Sequence, residues 1–190
     1  MGHIRRGRFA AIIAAGLLVS GGMGVAMAQG GIAANLAMSG TVFDMRVNHM
    51  VGDSSSLYVG PEKVNKGDEG VSKLRFGKAK VRDLCMSVPV GNIPGYGKAN
   101  FVMKVPGDNF SADNLLMGAT KLTGDIAMSH PQIGIDANQV DNRAKSGSWG
   151  LAASQMVVDK QQILATSVAA DQLKVSGSQI NVKKGDQGGC

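Results

Sequence analysis

The sequence is poor in aromatic residues, because Phe, Trp and Tyr together make up only 4% of its 190 residues. A surface that binds nucleic acid usually combines a concentrated basic patch with stacking aromatic side chains. The formal net charge is +6, but three of these charges belong to Arg5, Arg6 and Arg8 in a leader that we expect to be removed, and 6 − 3 leaves +3. We therefore predict that the protein does not bind nucleic acid.

The sequence also lacks the motifs of the common cofactor and hydrolase sites. It has no Gly-rich phosphate loop, no CxxC pair, no metal-ligand spacing of Cys and His, and no GxSxG nucleophile elbow. Its carboxylates are scattered through polar segments and show no paired spacing of the glycosidase kind. We predict neither a cofactor nor a metal.

A looser hydrolase site stays open as an alternative. The segment Ser146–Gly150 (SGSWG) comes nearest to the elbow motif, and His130 stands at the end of a predicted strand. A catalytic triad could combine Ser148 and His130 with either Asp125 or Asp136. The alternative is that each of these is an ordinary loop or strand-end residue, and we assign no catalytic residue.

The N-terminus carries an export signal. Three arginines precede the apolar run Phe9–Val19, and Ala26 and Ala28 place small residues around a cleavage site. A retained membrane anchor is the alternative, although the strongly apolar part is short for a span. We expect residues 1–28 to be a signal peptide cleaved near Ala28. Residues 29–190 would then form a single domain that is secreted or associated with the cell envelope.

Two cysteines, Cys85 and Cys190, follow the predicted cleavage site. An even number of cysteines in an exported protein predicts a disulfide. Such a bond would close a loop of about a hundred residues, which the loop-entropy argument values at roughly 4–5 kcal/mol. The alternative is a buried Cys85 and a free terminal thiol.

Apolar and polar residues alternate with period 2 along most of the remaining chain, which indicates strands with one buried face. We predict an all-β domain, an antiparallel or curved sheet, and leave sandwich, open sheet and solenoid as alternatives. A long polar break at Asp136–Ser148 precedes a last strand block, Trp149–Lys184, in which a short helix around Ala152–Gln162 is an alternative. Turns and loops are predicted at Val51–Ser56, Pro61–Gly70, Pro89–Gly97 and Pro106–Asp108, and β-bulges at Gly40 and Gly177.

Methionine is frequent, with 11 residues in the chain. Its flexible and polarizable side chain suits both irregular cores and permissive apolar binding surfaces. Four methionines lie on the predicted inward face: Met38, Met45, Met103 and Met128. They could form an apolar ligand face, or they could fill the core of a protein with few aromatic residues.

Four segments carry a resemblance to a known family: NLAMSGTVFDMRVNHMVG, DLCMSV, LTGDIAMSHPQIGID, and LKVSGSQINVKKG ahead of the terminal Cys. Together with the leader, they resemble a family of small exported actinobacterial proteins, mostly uncharacterised, of which some members are labelled cholesterol esterase. The resemblance implies an exported, envelope-associated protein of a Gram-positive actinobacterium. It also implies the pairing of Cys85 with Cys190.

These features favour an exported β-protein that binds lipid-like or apolar material, or another envelope component, without catalysis. The alternative is a secreted esterase that acts on cholesterol esters, other sterol esters or other lipid esters. Strands with exposed edges can also polymerise, so self-association in a structural assembly is a third expectation.

Overall fold

The structure is a computed structural model that describes residues 32–36, 41–64, 67–185 and 189–190. The predicted signal peptide, Met38 and the bulge predicted at Gly40 lie outside the described residues. The strands are β1 (Ile32–Leu36), β2 (Phe43–Val64), β3 (Gly67–Ile93), β4 (Gly97–Val105), β5 (Phe110–Ser129), β6 (Gln132–Asp136), β7 (Trp149–Val175) and β8 (Gln179–Lys184). One 3-10 turn, Ala137–Gln139, follows β6.

Strands β2 to β8 form one antiparallel sheet, which confirms the all-β prediction. Strand β2 pairs with both β3 and β7, and β5 pairs with the same two strands. Hydrogen bonding therefore runs from β2 through β3, β5 and β7 and returns to β2, so the sheet is curved upon itself. Strands of 20 to 27 residues allow this, because each is long enough to bend and change neighbours along its length.

The core lies on the inner side of this curved sheet. In β2, Phe43, Met45 and Val47 are buried, and the alternate residues Asp44 and Arg46 belong to the opposite face. The same alternation in the neighbouring strands brings Val, Leu, Ile, Met and Phe side chains into one continuous cluster. Burial of this apolar surface is the main force that holds the strands together.

The turn predicted at Val51–Ser56 is wrong, because this segment lies inside β2. One of its polar groups is accommodated within the strand, since the buried Ser55 hydroxyl donates a hydrogen bond to the carbonyl of Gly52 at 2.8 Å. The predicted bulge at Gly177 is also wrong: this residue, with φ of 60°, lies in the short connection between β7 and β8. The alternative helix at Ala152–Gln162 is not formed, because the segment belongs to β7.

The polar break at Asp136–Ser148 is confirmed except for Asp136, which is the last residue of β6. Pro106–Asp108 connects β4 to β5 as predicted.

The predicted disulfide is confirmed as well. Cys85 in β3 is bonded to Cys190, with the two Cα atoms 5.7 Å apart. Arg46 Nη1 donates a hydrogen bond to the carbonyl of Cys190 at 2.7 Å, so the last residue is held against the outer face of the sheet.

Candidate functional site

The structure does not join the serine and the histidine of the predicted triad. The Ser148 hydroxyl donates to the carbonyl of Lys145, and His130 Nδ1 lies 3.2 Å from the hydroxyl of Ser154. No hydrogen bond links Ser148 to His130 among the residues that the structure describes. Asp125 is exposed on β5, and the residue opposite it in the β5–β7 register is Asp159.

Among the triad candidates, Asp136 lies near Ser148 in the structure, but its carboxylate has a structural role in the loop. Its carboxylate accepts hydrogen bonds from the backbone N–H groups of Asn138 and Gly147, each at 3.0 Å. These backbone donors, Asn138 first, lower the pKa of Asp136. The carboxylate therefore fixes the two ends of the 137–148 loop.

The predicted methionine face divides into a buried and a half-buried part. Met45 is only 5% exposed and belongs to the core, and Met103 and Met128 are half-buried and pack against the same cluster. The placement of these three residues agrees with the core-filling alternative. Met103, however, also belongs to a surface that continues outward.

A row of apolar side chains crosses four neighbouring strands from the core to the sheet edge. Met45 in β2 is opposite Met86 in β3, Met86 is opposite Met103 in β4, and Met103 is opposite Ile180 in β8. Because directly paired residues point to the same side of a sheet, these side chains form one continuous stripe. Exposure rises along it from 5% at Met45 to 58% at Ile180.

A second row runs beside the first and ends in the same way. Val88 in β3 is buried, Phe101 in β4 is half-buried, and Val182 in β8 is 53% exposed. We call Phe101, Met103, Ile180 and Val182 the edge patch. In the described part of the chain, β8 pairs only with β4, so the edge patch lies at a margin of the sheet.

The surroundings of the edge patch are basic and partly apolar. Lys184 lies on the same face of β8 as Ile180 and Val182, and three more lysines lie on the opposite face of the two strands: Lys98, Lys104 and Lys183. The end of the β3–β4 hairpin exposes three more large apolar side chains: Val90, Ile93 and Tyr96. Exposed apolar residues that gather at one margin, rather than scatter singly, indicate an interaction surface.

A buried polar cluster secures the loop on another part of the molecule. The Tyr58 hydroxyl donates to Asp141 Oδ2 at 3.0 Å, and Arg143 donates to both oxygens of Asp141 at 2.9 and 2.7 Å. The hydrogen bonds from Arg143 lower the pKa of Asp141 to about 2. Burial, together with the Asp141 carboxylate, raises the pKa of Tyr58 to about 12.

The sequence profile of a family described as "Family of unknown function (DUF6230)" matches residues 39–190. The chain belongs to the DUF6230 family. No curated protein and no solved structure matches the sequence. The matched span of this DUF6230 protein includes the edge patch, the disulfide and the 137–148 loop.

Two structural findings bear on the chemistry open to this DUF6230 protein. Within the described ranges, no group of three His, Cys, Asp or Glu residues is arranged to hold a metal ion. The same part of the chain contains no helix of the length and apolarity needed to cross a membrane.

Sequence reasoning missed Ile180 and Val182 as candidate site residues, although it recognised their alternation as a strand. The alternating pattern of a strand's own sequence does not show whether that strand lies at the edge of a sheet or between two others. The one available signal was the run of Lys183 and Lys184 after the apolar pair, since lysines often protect sheet edges.

Proposed function

We propose that this DUF6230 protein is exported and binds lipid-like material of the cell envelope through the edge patch, without catalysis. The observation that carries the proposal is the apolar row from buried Met45 to exposed Ile180. A core stripe that continues into solvent leaves apolar surface for a partner to cover.

The partner that best fits the edge patch is an anionic lipid surface. Insertion of Ile180 and Val182 would remove apolar area from water, and Lys184, on the same face of β8, would meet acidic head groups. Both contributions are known to act together in interfacial binding, where a basic residue near an anionic surface contributes about 1 kcal/mol.

The leader and the disulfide support export. Residues Arg5 to Ala28 have the pattern of a signal peptide, and the Cys85–Cys190 bond suits an oxidising compartment. The resemblance to exported actinobacterial proteins agrees with an envelope location.

Vesicle sedimentation tests the binding. The full chain, expressed with its leader in a secretory host, is mixed with phosphatidylglycerol vesicles and, separately, with phosphatidylcholine vesicles. We expect sedimentation with the anionic vesicles, weaker binding at high salt, and a loss of roughly tenfold or more in affinity for the Ile180→Ser/Val182→Ser variant.

The matched control is Ile126→Ser/Ile133→Ser, which removes two exposed apolar side chains of similar size from β5 and β6. Equal binding of the two double variants would contradict a role for the edge patch. If Ile180→Ser/Val182→Ser instead changed only the oligomeric state, the patch would be a self-association surface and the lipid proposal would be wrong.

The resemblance to proteins labelled cholesterol esterase gives the alternative activity. The same preparation is therefore assayed with cholesteryl and short-chain esters beside Ser148→Ala and His130→Ala. We expect no turnover, because Ser148 donates to a backbone carbonyl and has no histidine partner in the described structure. Turnover that disappears in Ser148→Ala would overturn the non-catalytic proposal.

A further inference from the structure

A cleft of about 470 Å³ opens where three neighbouring strands lose their regular pairing at the same level. The ladders skip Ser54 in β2, Gly77 in β3 and Asn114 in β5. Ser54 and Asn114 have φ angles of 49° and 50°, a conformation that is costly for residues other than glycine. All three residues line the cleft, so the irregular backbone of the strands shapes its wall.

The cleft wall contains a cation beside an unsatisfied hydroxyl. Arg75 supplies the charge of the wall, and it is directly opposite Ser56 in the β2–β3 ladder. Ser56 is 5% exposed, and its hydroxyl has no hydrogen-bond partner in the described part of the chain. A buried hydroxyl without a partner is unfavourable, and it is explained where a ligand completes its hydrogen bonding.

Arg75 is available to a ligand because its acidic neighbour is already bound. Arg143 and Tyr58 hold the Asp141 carboxylate with hydrogen bonds of 2.7 to 3.0 Å. Arg75 Nη1, by contrast, lies 4.0 Å from Asp141 and 3.5 Å from the carbonyl of Val140. These long contacts leave most of the five guanidinium donors for other acceptors.

We propose that this cleft binds an oxyanion, the carboxylate or phosphate group of a small solute, between the Arg75 guanidinium and the Ser56 hydroxyl. The planar fork of arginine matches both groups with two parallel hydrogen bonds. Ala152, Ala153 and Val140 also line the cleft, so they offer small apolar side chains to the remainder of the solute. The site shares no residue with the edge patch, and it stands whether or not the protein binds lipid.

Nuclear magnetic resonance of the ¹⁵N-labelled full chain tests the proposal, with inorganic phosphate and acetate as separate probes. We expect saturable shifts of the Arg75 Nε–H and Ser56 amide signals with one probe or both. Arg75→Gln should abolish the shift of the Ser56 amide, and Ser56→Ala should weaken binding by about tenfold. Arg82→Gln, which removes an exposed arginine elsewhere on β3, should leave binding unchanged.

The two adjacent serines provide a matched pair. Ser56→Ala removes an unpartnered hydroxyl, so the ligand-free variant should melt at a higher temperature than the wild type. Ser55 also lines the cleft, but its hydroxyl already donates to the carbonyl of Gly52. Ser55→Ala should therefore melt at a lower temperature and keep oxyanion binding. If Arg75→Gln does not fold, Arg75→Lys preserves the charge without the fork and should weaken binding.

The outcomes decide which oxyanion binds and whether the proposed site exists. Saturation with phosphate alone identifies a phosphate group, and saturation with acetate alone identifies a carboxylate. Shifts that rise linearly with both probes, or saturable shifts that persist in Arg75→Gln, would overturn the proposal.

Discussion

The hydroxyl of Tyr58 lies 3.0 Å from the carboxylate of Asp141, and both residues are buried although 83 positions separate them. Tyr58 is in β2, and Asp141 is in the 137–148 loop. Their hydrogen bond attaches the longest connection between described strands to the sheet, and Arg143 of the same loop holds the Asp141 carboxylate in place. The loop in turn supplies Val140 to the cleft that Arg75 lines.

Titration of Tyr58 alone measures how burial and the Asp141 carboxylate change its pKa. The chain has two tyrosines, so Tyr96→Phe leaves Tyr58 as the only phenol. We expect its ultraviolet absorbance to report a pKa of about 12, because burial and the Asp141 carboxylate disfavour the phenolate. In Tyr96→Phe/Asp141→Asn the pKa should fall. A pKa near 10 in the first variant, the ordinary value, would contradict the buried pairing.

Asp141→Asn should lower the free energy of unfolding at neutral pH by about 2–3 kcal/mol, because it removes charge-assisted hydrogen bonds from a buried carboxylate. Urea denaturation measures the change. Asp108→Asn is the control, since it breaks the exposed pair with Arg82 and should cost far less. Equal losses in the two variants would show that burial of Asp141 adds nothing.

Lowering the pH should remove the contribution of the Asp141 carboxylate to the free energy of unfolding. The pKa of Asp141 is about 2 in the folded protein and near 4 in an unfolded chain. A lowered folded-state pKa gives stability that is present above about pH 4 and lost as the pH falls towards 2. The difference in urea midpoint between wild type and Asp141→Asn should therefore shrink between pH 5 and about pH 2. A constant difference over that range would disprove the linkage.

Loss of the disulfide should destabilise the protein strongly. Cys85 and Cys190 are 105 positions apart, and a loop of this length corresponds to about 4–5 kcal/mol of chain entropy. We expect Cys85→Ser/Cys190→Ser to unfold at a lower urea concentration than the wild type and to be insensitive to reductant. Identical midpoints for the oxidised wild type and the variant would show that the bond is dispensable.

Gly52→Ala should cost about 1–3 kcal/mol, because a Cβ atom there would overlap the ring of fully buried Phe76. Gly67→Ala is the matched control: no heavy atom lies within 4 Å of the added Cβ, so it should not destabilise. Thermal unfolding followed by circular dichroism compares the two. A larger loss in Gly67→Ala would contradict the packing of Phe76 over Gly52.

Much of the fold could be predicted because strand formation has a local signature. Alternation in Phe43–Val47 identifies one buried and one exposed face without knowledge of the neighbours. In Phe101–Val105 it identifies the strand, but Val102, on the face predicted to be exposed, is buried as well. The error at Val51–Ser56 has a physical reason. Gly, Asp and three serines are typical of a turn, but here Gly52 makes room for Phe76, and the Ser55 hydroxyl is satisfied inside the sheet.

The candidate sites depended on contacts that have no local signature. Ile180 and Met103 lie in the same alternating pattern, yet one is exposed and the other half-buried. The reason is that β8 lies at a margin of the sheet, whereas β4 lies between β3 and β8. Ser55 and Ser56 are adjacent and both buried, but only one finds a partner. Neither difference can be read from the residues themselves.

By itself, the sequence determined that this chain forms β-strands and that its two cysteines are suited to pair, since both follow from residue type and period. The tertiary structure alone decided where the apolar row reaches solvent and which serine faces Arg75 unpartnered. The physical reason is that side-chain period is a property of one strand. Exposure and hydrogen bonding depend on which other strands lie beside it, and those neighbours come from distant parts of the chain.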